Sequence, residues 1–155
     1  MEVPSPARLY ATVVGALLVV LGIVGFFYSA SFGSPGDVEA ALSVLRVNAW
    51  LNLLQVATGA LGLLLAGYAS RQYALGVGLL YTALAVWGFA IGAGGAILGF
   101  LPANGGDDYL RLAIGLLGLA AAAGTPKRVS VATHRVEKEP RREKGRVRAA
   151  SAGRR

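Results

Sequence analysis

With 155 residues, 55% of them hydrophobic, and a mean hydropathy of +0.57, the chain is more apolar than a typical soluble domain. It has no cysteine, which excludes disulfides and sites built on cysteine thiolates. The net charge of +7 lies at one end: residues 126–155 contain eleven basic and three acidic residues, whereas residues 1–125 contain four basic and five acidic ones. The composition predicts a small membrane-embedded bundle followed by a basic tail.

The first predicted element is a transmembrane helix over residues 9–28. This charge-free apolar run has 20 residues, the length that a helix needs to cross a hydrocarbon core about 30 Å thick. A cleaved signal peptide is the alternative, because Arg8 precedes the run and Ser29-Ala30-Ser31 offers small residues for cleavage. The apolar part of a signal peptide has about 7 to 15 residues, so the length favours a membrane span.

A second span is predicted over about residues 45–69. A loop rich in glycine, proline and serine precedes it, and we expect Asp37 to cap the helix and Glu39 to lie in its first turn. Residues 47–70 carry no charge. The stretch Ser70-Arg71-Gln72 then predicts a short polar turn, which makes the second and third spans an antiparallel pair.

Two further spans are predicted before the basic tail. Residues 73–101 are uncharged and mostly apolar, and one helix of that length would be about 44 Å long, longer than the hydrocarbon core. Because glycine weakens a helix, the run Gly92-Ala93-Gly94-Gly95 predicts that the third span covers about residues 73–92 and that a short apolar connection follows. The fourth span is predicted over about residues 108–124, and Thr125-Pro126 ends it.

The distribution of charge predicts the orientation of these spans. Arg8, Arg71 and Lys127 lie at one end of a four-span bundle, whereas the loops at the other end carry most of its acidic residues. This positive-inside pattern predicts an all-α, multi-pass membrane protein with residues 1–8 and residues 125–155 in the cytoplasm. Tyr10, Tyr68 and Tyr73 are expected at the inner interface and Tyr28 and Tyr109 at the outer one, as members of aromatic belts.

The second span carries a polar face. Asn48, Asn52 and Gln55 recur at spacings of four and three, which places them on one side of a helix. An unsatisfied polar group in lipid costs several kcal/mol, so we expect these amides to face the bundle interior. Arg111 enters the fourth span from the same outer side, and we expect it to join the amides in an intramembrane polar cluster. The alternative is hydrogen bonding that merely joins helices, with Arg111 at the interface or paired with one of the two aspartates before it.

The tail is predicted to be disordered, because it is highly charged and poor in apolar residues. Its only histidine, His134, is too isolated to build a metal site. Nucleic-acid binding is an alternative function, but the tail lacks aromatic residues for base stacking. Because polybasic segments beside a span are attracted to anionic lipid, we expect lipid contact through Lys127, Arg128, Arg135, Arg141, Arg142, Lys144, Arg146 and Arg148.

Two motifs carry a family resemblance: VNAWLNLLQVATG over residues 47–59 and FLPANGGDDYLRLAIG over residues 100–115. In order and spacing they resemble a bacterial family of four-helix membrane proteins known as a domain of unknown function, DUF4383, over about residues 9–124. The resemblance implies that family members commonly carry histidine where this chain has Leu51, Gln55 and Arg111. A metal, haem or proton site built on those histidines is therefore not expected in this chain, and the family implies no known activity.

The function expected from these patterns is not enzymatic, because the spans contain no acid/base pair. We expect no cofactor and no metal. The first hypothesis is a structural or accessory component of a membrane complex, with a membrane-protein partner or a second copy of the chain. The second hypothesis is an oligomeric transporter or channel that uses Asn48, Asn52, Gln55 and Arg111.

Overall fold

The computed structural model describes residues 4–32, 39–41 and 45–126, which form four helices and two short antiparallel hairpins. The helices are α1 (Pro6–Tyr28), α2 (Ala49–Leu65), α3 (Ser70–Ile91) and α4 (Gly105–Ala123). Between α1 and α2, strand β1 (Glu39–Ala41) pairs with β2 (Leu45–Val47). Between α3 and α4, strand β3 (Ala96–Ile97) pairs with β4 (Leu101–Pro102). The predicted all-α class with four helices is thus confirmed for the described residues.

Two of the described helices, α1 and α3, are long and apolar enough to cross a membrane. Helix α2 is apolar but has only 17 residues, and α4 carries Asp107, Asp108 and Arg111 near its start. By length and composition, α1 and α3 support the membrane character that was predicted from the sequence.

The prediction for the start of α2 was wrong. Glu39 lies in a strand rather than in the first turn of a helix, and α2 begins at Ala49. The reason is local: the Asn48 side chain accepts a hydrogen bond from the Leu51 N–H at 2.8 Å, as an N-cap does, so the helix starts there. The predicted cap Asp37 lies outside the described residues, as do residues 127–155 with the eight basic residues expected to contact lipid.

The bounds of α3 and α4 also differ from the sequence prediction. The stretch Ser70-Arg71-Gln72, predicted as a turn, forms the first turn of α3. The helix ends at Ile91 because Gly92 has a φ of 74°, a left-handed conformation that glycine adopts without strain. Helix α4 begins at Gly105, three residues before the predicted start, with Asn104 as its N-cap.

The structure contains an internal repeat that the sequence prediction missed. The first half (residues 6–65) and the second half (residues 70–123) each consist of a long helix, a hairpin, a capping asparagine and another helix. The sequence repeats as well: the pattern Arg-x-Tyr-Ala-x-x-Val-Gly begins at Arg8 in α1 and at Arg71 in α3. A Gly-Phe pair follows at the same distance in both helices, at Gly25 and Gly88.

Glycines form equivalent seams within the two halves. Gly15 of α1 faces Gly59 of α2 so closely that a Cβ on Gly15 would lie 2.9 Å from the Gly59 carbonyl oxygen. In the second half, a Cβ on Gly78 would lie 3.1 Å from the Gly115 carbonyl oxygen. Each half is therefore a helix pair packed backbone against backbone, the arrangement that small residues permit in lipid.

Two tyrosines join the halves in an equivalent way. The Tyr10 hydroxyl donates to the Ile114 carbonyl at 2.8 Å, and the Tyr73 hydroxyl donates to the Thr58 carbonyl at 3.0 Å. The two rings contact each other, with centroids 6.2 Å apart. Both side chains are buried inside the bundle, unlike belt residues, whereas the other three tyrosines of the predicted belts are between 46% and 69% exposed. A tyrosine buried in an apolar core satisfies its hydroxyl on a backbone carbonyl, and here that bond connects the two halves.

Candidate functional site

Asn48 and Asn104 begin the second helix of each half. Besides capping α2, Asn48 donates from Nδ2 to the carbonyl oxygen of Phe100 at 2.6 Å, so it also ties α2 to the hairpin β3–β4. Asn104 accepts from the Gly106 N–H at 3.3 Å and donates from Nδ2 to Asp107 Oδ2 at 3.2 Å. Both amides are used to start helices and to fix the loops beside them.

Asn52 lies one turn into α2 and is fully buried. Its side chain rests on Gly25 of α1, where a Cβ would collide with it. Nδ2 donates to the Ser29 carbonyl at 2.9 Å, while Oδ1 has no hydrogen-bond partner among the described residues. Asn52 therefore connects the end of α1 to the start of α2 by a hydrogen bond within the first helix pair.

The second half places an ion pair at the corresponding position. Asp108 rests on Gly88 of α3 as Asn52 rests on Gly25. Arg111 Nη1 donates to Asp108 Oδ1 at 2.6 Å, and Nη2 donates to the Pro102 carbonyl at 3.1 Å. Arg111 is 3% exposed and Asp108 2%. A buried ion pair offsets its desolvation only when further hydrogen bonds complete it, and the Pro102 carbonyl supplies one.

A small cavity lies where α2, α3 and α4 meet. Its volume is about 10 Å³, about the space that one water molecule needs. Three polar side chains of the wall, Gln55, Asp107 and Arg111, come from the first two turns of α2 and α4. Tyr81 of α3 also lines the cavity, and its hydroxyl lies 3.0 Å from Thr58 Oγ1. The complete lining is Leu51, Gln55, Tyr81, Asp107, Leu110, Arg111 and Ile114.

The structure brings together two of the four residues predicted as a polar cluster. Gln55 and Arg111 line the same cavity, whereas Asn48 is directed to the hairpin β3–β4 and Asn52 to the end of α1. The bonding of Arg111 follows the alternative, in which it pairs with an aspartate of its own helix. Leu51, Gln55 and Arg111, which the resemblance places opposite histidines, all line this cavity.

The sequence interpretation missed the burial of Asp108 against Gly88 and the contact of the Tyr81 hydroxyl with Thr58. A signal for Asp108 exists in the repeat: Asn48-x-x-x-Asn52 in α2 corresponds to Asn104-x-x-x-Asp108 in α4. Aligning the two halves of the sequence places Asp108 opposite Gly88, as Asn52 is opposite Gly25.

A family model described as "Domain of unknown function (DUF4383)" matches residues 8–124. The chain belongs to the DUF4383 family. The DUF4383 match includes both halves of the repeat, the two glycine seams and the whole lining of the small cavity. No curated protein and no solved structure is similar to the chain. Among the described residues, no group of three His, Cys, Asp or Glu side chains is placed to hold a metal ion.

Proposed function

We propose that the chain is a non-enzymatic membrane protein with four spans and both termini in the cytoplasm of a bacterial plasma membrane, and that it serves as a rigid structural or accessory component of a membrane complex. The observation that carries the membrane placement is the distribution of residue size. Many large apolar side chains lie on the outside of all four helices, whereas most of the buried positions in the helices are glycine, alanine or polar residues.

So many exposed large apolar side chains are unusual for a soluble protein, in which residues of this kind are mostly buried. Leu17, Leu64, Leu79 and Leu117, one from each helix, are between 44% and 69% exposed. A soluble monomer seldom leaves apolar patches of more than a few hundred Å² in water. In lipid the same surface has no cost, and small interior residues allow the helices to approach closely.

Burial of the charges makes α4 compatible with a span. Asp107, Asp108 and Arg111 are all at least 95% buried, so the outward surface of α4 beyond Tyr109 is apolar. Helix α2, with 17 residues, lies at the lower end of the range for a span, which is about 17 to 25 residues. The positive-inside pattern of Arg8, Arg71 and Lys127 favours cytoplasmic termini.

The structural role is supported by how the buried polar groups are used. Asn48, Asn52 and Arg111 donate to carbonyls or a carboxylate of the same chain, and the cavity that Arg111 lines has room for only about one water molecule. These contacts rigidify the bundle. They leave the broad apolar exterior as the surface available to lipid and to other membrane helices.

Two measurements test this proposal. Fusions of a topology reporter at Ser31, Gln72, Gly99 and Arg155 are expected to report outside, inside, outside and inside, and a tail found outside would contradict four spans. Purification from native membranes in mild detergent is expected to yield a species larger than the 15.9 kDa monomer. Recovery of the monomer alone would contradict a role in a complex.

An oligomeric transporter or channel is the second candidate. It is favoured by one observation, the cavity that Gln55 and Arg111 line between the two halves. Because this cavity admits about one water molecule, any pathway would have to form between copies of the chain. Solute flux in liposomes that the Gln55→Leu variant abolishes would support this candidate, and a tight monomer without flux would contradict it.

A further inference from the structure

An open cleft of about 410 Å³ lies at the end of the bundle opposite the small cavity. It is formed where α1 and α3 begin and where α4 ends, and its polar wall includes Ser5, Ser70, Arg71, Gln72 and Thr125. The volume is in the range of small-molecule sites, about 300 to 1,000 Å³. With an arginine and several hydroxyl and amide groups in its wall, the cleft differs from the apolar exterior of the helices.

Arg71 is held in place at this cleft, and no carboxylate of the described residues pairs with it. Its Nε donates to the Thr125 carbonyl at 3.1 Å, which fixes the guanidinium group against the end of α4. Neither Nη atom makes a hydrogen bond or an ion pair with the residues that the structure describes. The guanidinium therefore has donors for a planar, bidentate contact with an anion.

The internal repeat shows that this arrangement is particular to the second half. Arg8 is the counterpart of Arg71, but it is exposed and does not line the cleft. At the start of α1, Ser5 accepts from the Arg8 N–H and Thr125 Oγ1 accepts from the Ala7 N–H. No side chain caps the start of α3, so hydrogen-bond donors remain beside Arg71.

We propose that this cleft binds a phosphate group, as carried by the head group of a phospholipid in the inner leaflet. The lipid source rests on the membrane placement proposed above, which puts this end of the bundle at the cytoplasmic surface. Tyr68, in the wall of the cleft, is 69% exposed, as an aromatic residue at a membrane interface can be.

Binding by the full-length chain in detergent tests the site, with native mass spectrometry as the readout. The probes are phosphatidylglycerol, phosphatidylcholine and inorganic phosphate. Arg71→Gln is expected to weaken phosphatidylglycerol binding about tenfold, the loss of one charged hydrogen bond, and Arg71→Lys is expected to restore part of it. Arg8→Gln is the matched control: it removes the same charge at the same end and is expected to leave binding unchanged.

Arg71→Gln also removes the hydrogen bond to Thr125, so a loss of binding could come from a change in the fold. A second variant separates these two causes. Ser70→Asp keeps that bond and places a carboxylate in the first turn of α3, which suits the helix dipole, while repelling phosphate. It is expected to weaken binding without lowering the unfolding temperature of the unliganded protein.

The probes separate the two sources of phosphate. Arg71-dependent binding of phosphatidylglycerol supports the lipid head group, and Arg71-dependent binding of inorganic phosphate alone supports a free anion in the same cleft. Equal binding by wild type, Arg71→Gln and Arg8→Gln would overturn the site and leave lipid binding to the rest of the chain. The reporter fusions test the membrane placement separately, so a failure of either proposal can be recognised.

Discussion

The first and second halves of the molecule use the same backbone plan with different polar groups. Each half packs two helices along a glycine seam and buries a polar side chain on a glycine of its long helix, Asn52 on Gly25 and Asp108 on Gly88. In the first half that side chain is a neutral amide bonded to the Ser29 carbonyl. In the second half it is a carboxylate paired with Arg111. A backbone seam of this kind accommodates either chemistry, but the two halves are expected to differ in how much stability they lose when one partner is removed.

Breaking the Asp108–Arg111 ion pair of the second half is expected to cause the largest loss of stability. Arg111→Leu leaves the Asp108 carboxylate buried without a counter-charge, which costs about 3 to 5 kcal/mol of the free energy of unfolding. The matched variant in the first half is Gln55→Leu, which removes a half-buried side chain that makes no hydrogen bond to the described residues, and it is expected to cost less than about 1 kcal/mol. Denaturation in mixed detergent micelles measures both. Equal losses would show that the ion pair is not what distinguishes the halves.

The glycines beneath the two polar groups are the next most sensitive positions. Gly25→Ala and Gly88→Ala force a Cβ into Asn52 or Asp108, and overpacking of this kind costs about 1 to 3 kcal/mol. Gly88→Ala is expected to cost more, because the carboxylate that must move is also held by Arg111. Gly76→Ala is the control: nothing lies within 4 Å of a Cβ there, so the substitution is expected to raise the free energy of unfolding by up to about 1 kcal/mol. A destabilised Gly76→Ala would mean that glycine packing does not explain the other losses.

The hydroxyl pair beside the cavity gives a smaller difference between the halves. Thr58 bonds to the Tyr81 hydroxyl at 3.0 Å, whereas the counterparts of these residues are the apolar Ile114 and Leu18. Thr58→Val is expected to lower the free energy of unfolding by about 0.6 kcal/mol, the mean for such bonds in membranes. Thr12→Val, which removes an exposed hydroxyl bonded within its own helix, is expected to change it less. Equilibrium unfolding of both variants checks the order, and the reverse order would contradict a role for the Thr58–Tyr81 bond.

The sequence allowed the helices to be predicted because long apolar runs are a signal that few other structures share. Four helices in the predicted order were found, and the glycine run after residue 91 correctly indicated a break. The start of α2 was placed too early because an asparagine at the edge of an apolar run fits two interpretations. Asn48 can lie on a helix face or cap the helix, and only the hydrogen bond to Leu51 distinguishes them.

The candidate site was predicted in part for a similar reason. Helical spacing placed Asn48, Asn52 and Gln55 on one face of α2, but it could not say which neighbouring helix each amide meets. Asn52 faces α1, whereas Gln55 lines the cavity with residues of α3 and α4. The burial of Tyr10 and Tyr73 was not predicted for another reason. The sequence alone does not distinguish a tyrosine at the lipid interface from one whose hydroxyl donates to a carbonyl in the core.

Exchanging the charges of the second half for amides is the most direct test of the comparison between the halves. The double variant Asp108→Asn with Arg111→Gln gives the second half the amides of the first. No charge is then left buried, so the free energy of unfolding is expected to stay within about 1 kcal/mol of wild type, although Arg111→Leu alone costs several.

The same micelle unfolding measurement, with Asp108→Asn and Arg111→Gln also made singly, completes a double-mutant cycle. If the double variant lost as much stability as the two single variants together, Asp108 and Arg111 would act independently and the two halves would not be interchangeable. A double variant near wild type would mean that the second half can fold without its charges. Their presence would then need an explanation other than the stability of the bundle, and the cavity that Arg111 shares with Gln55 is where such a role would be sought.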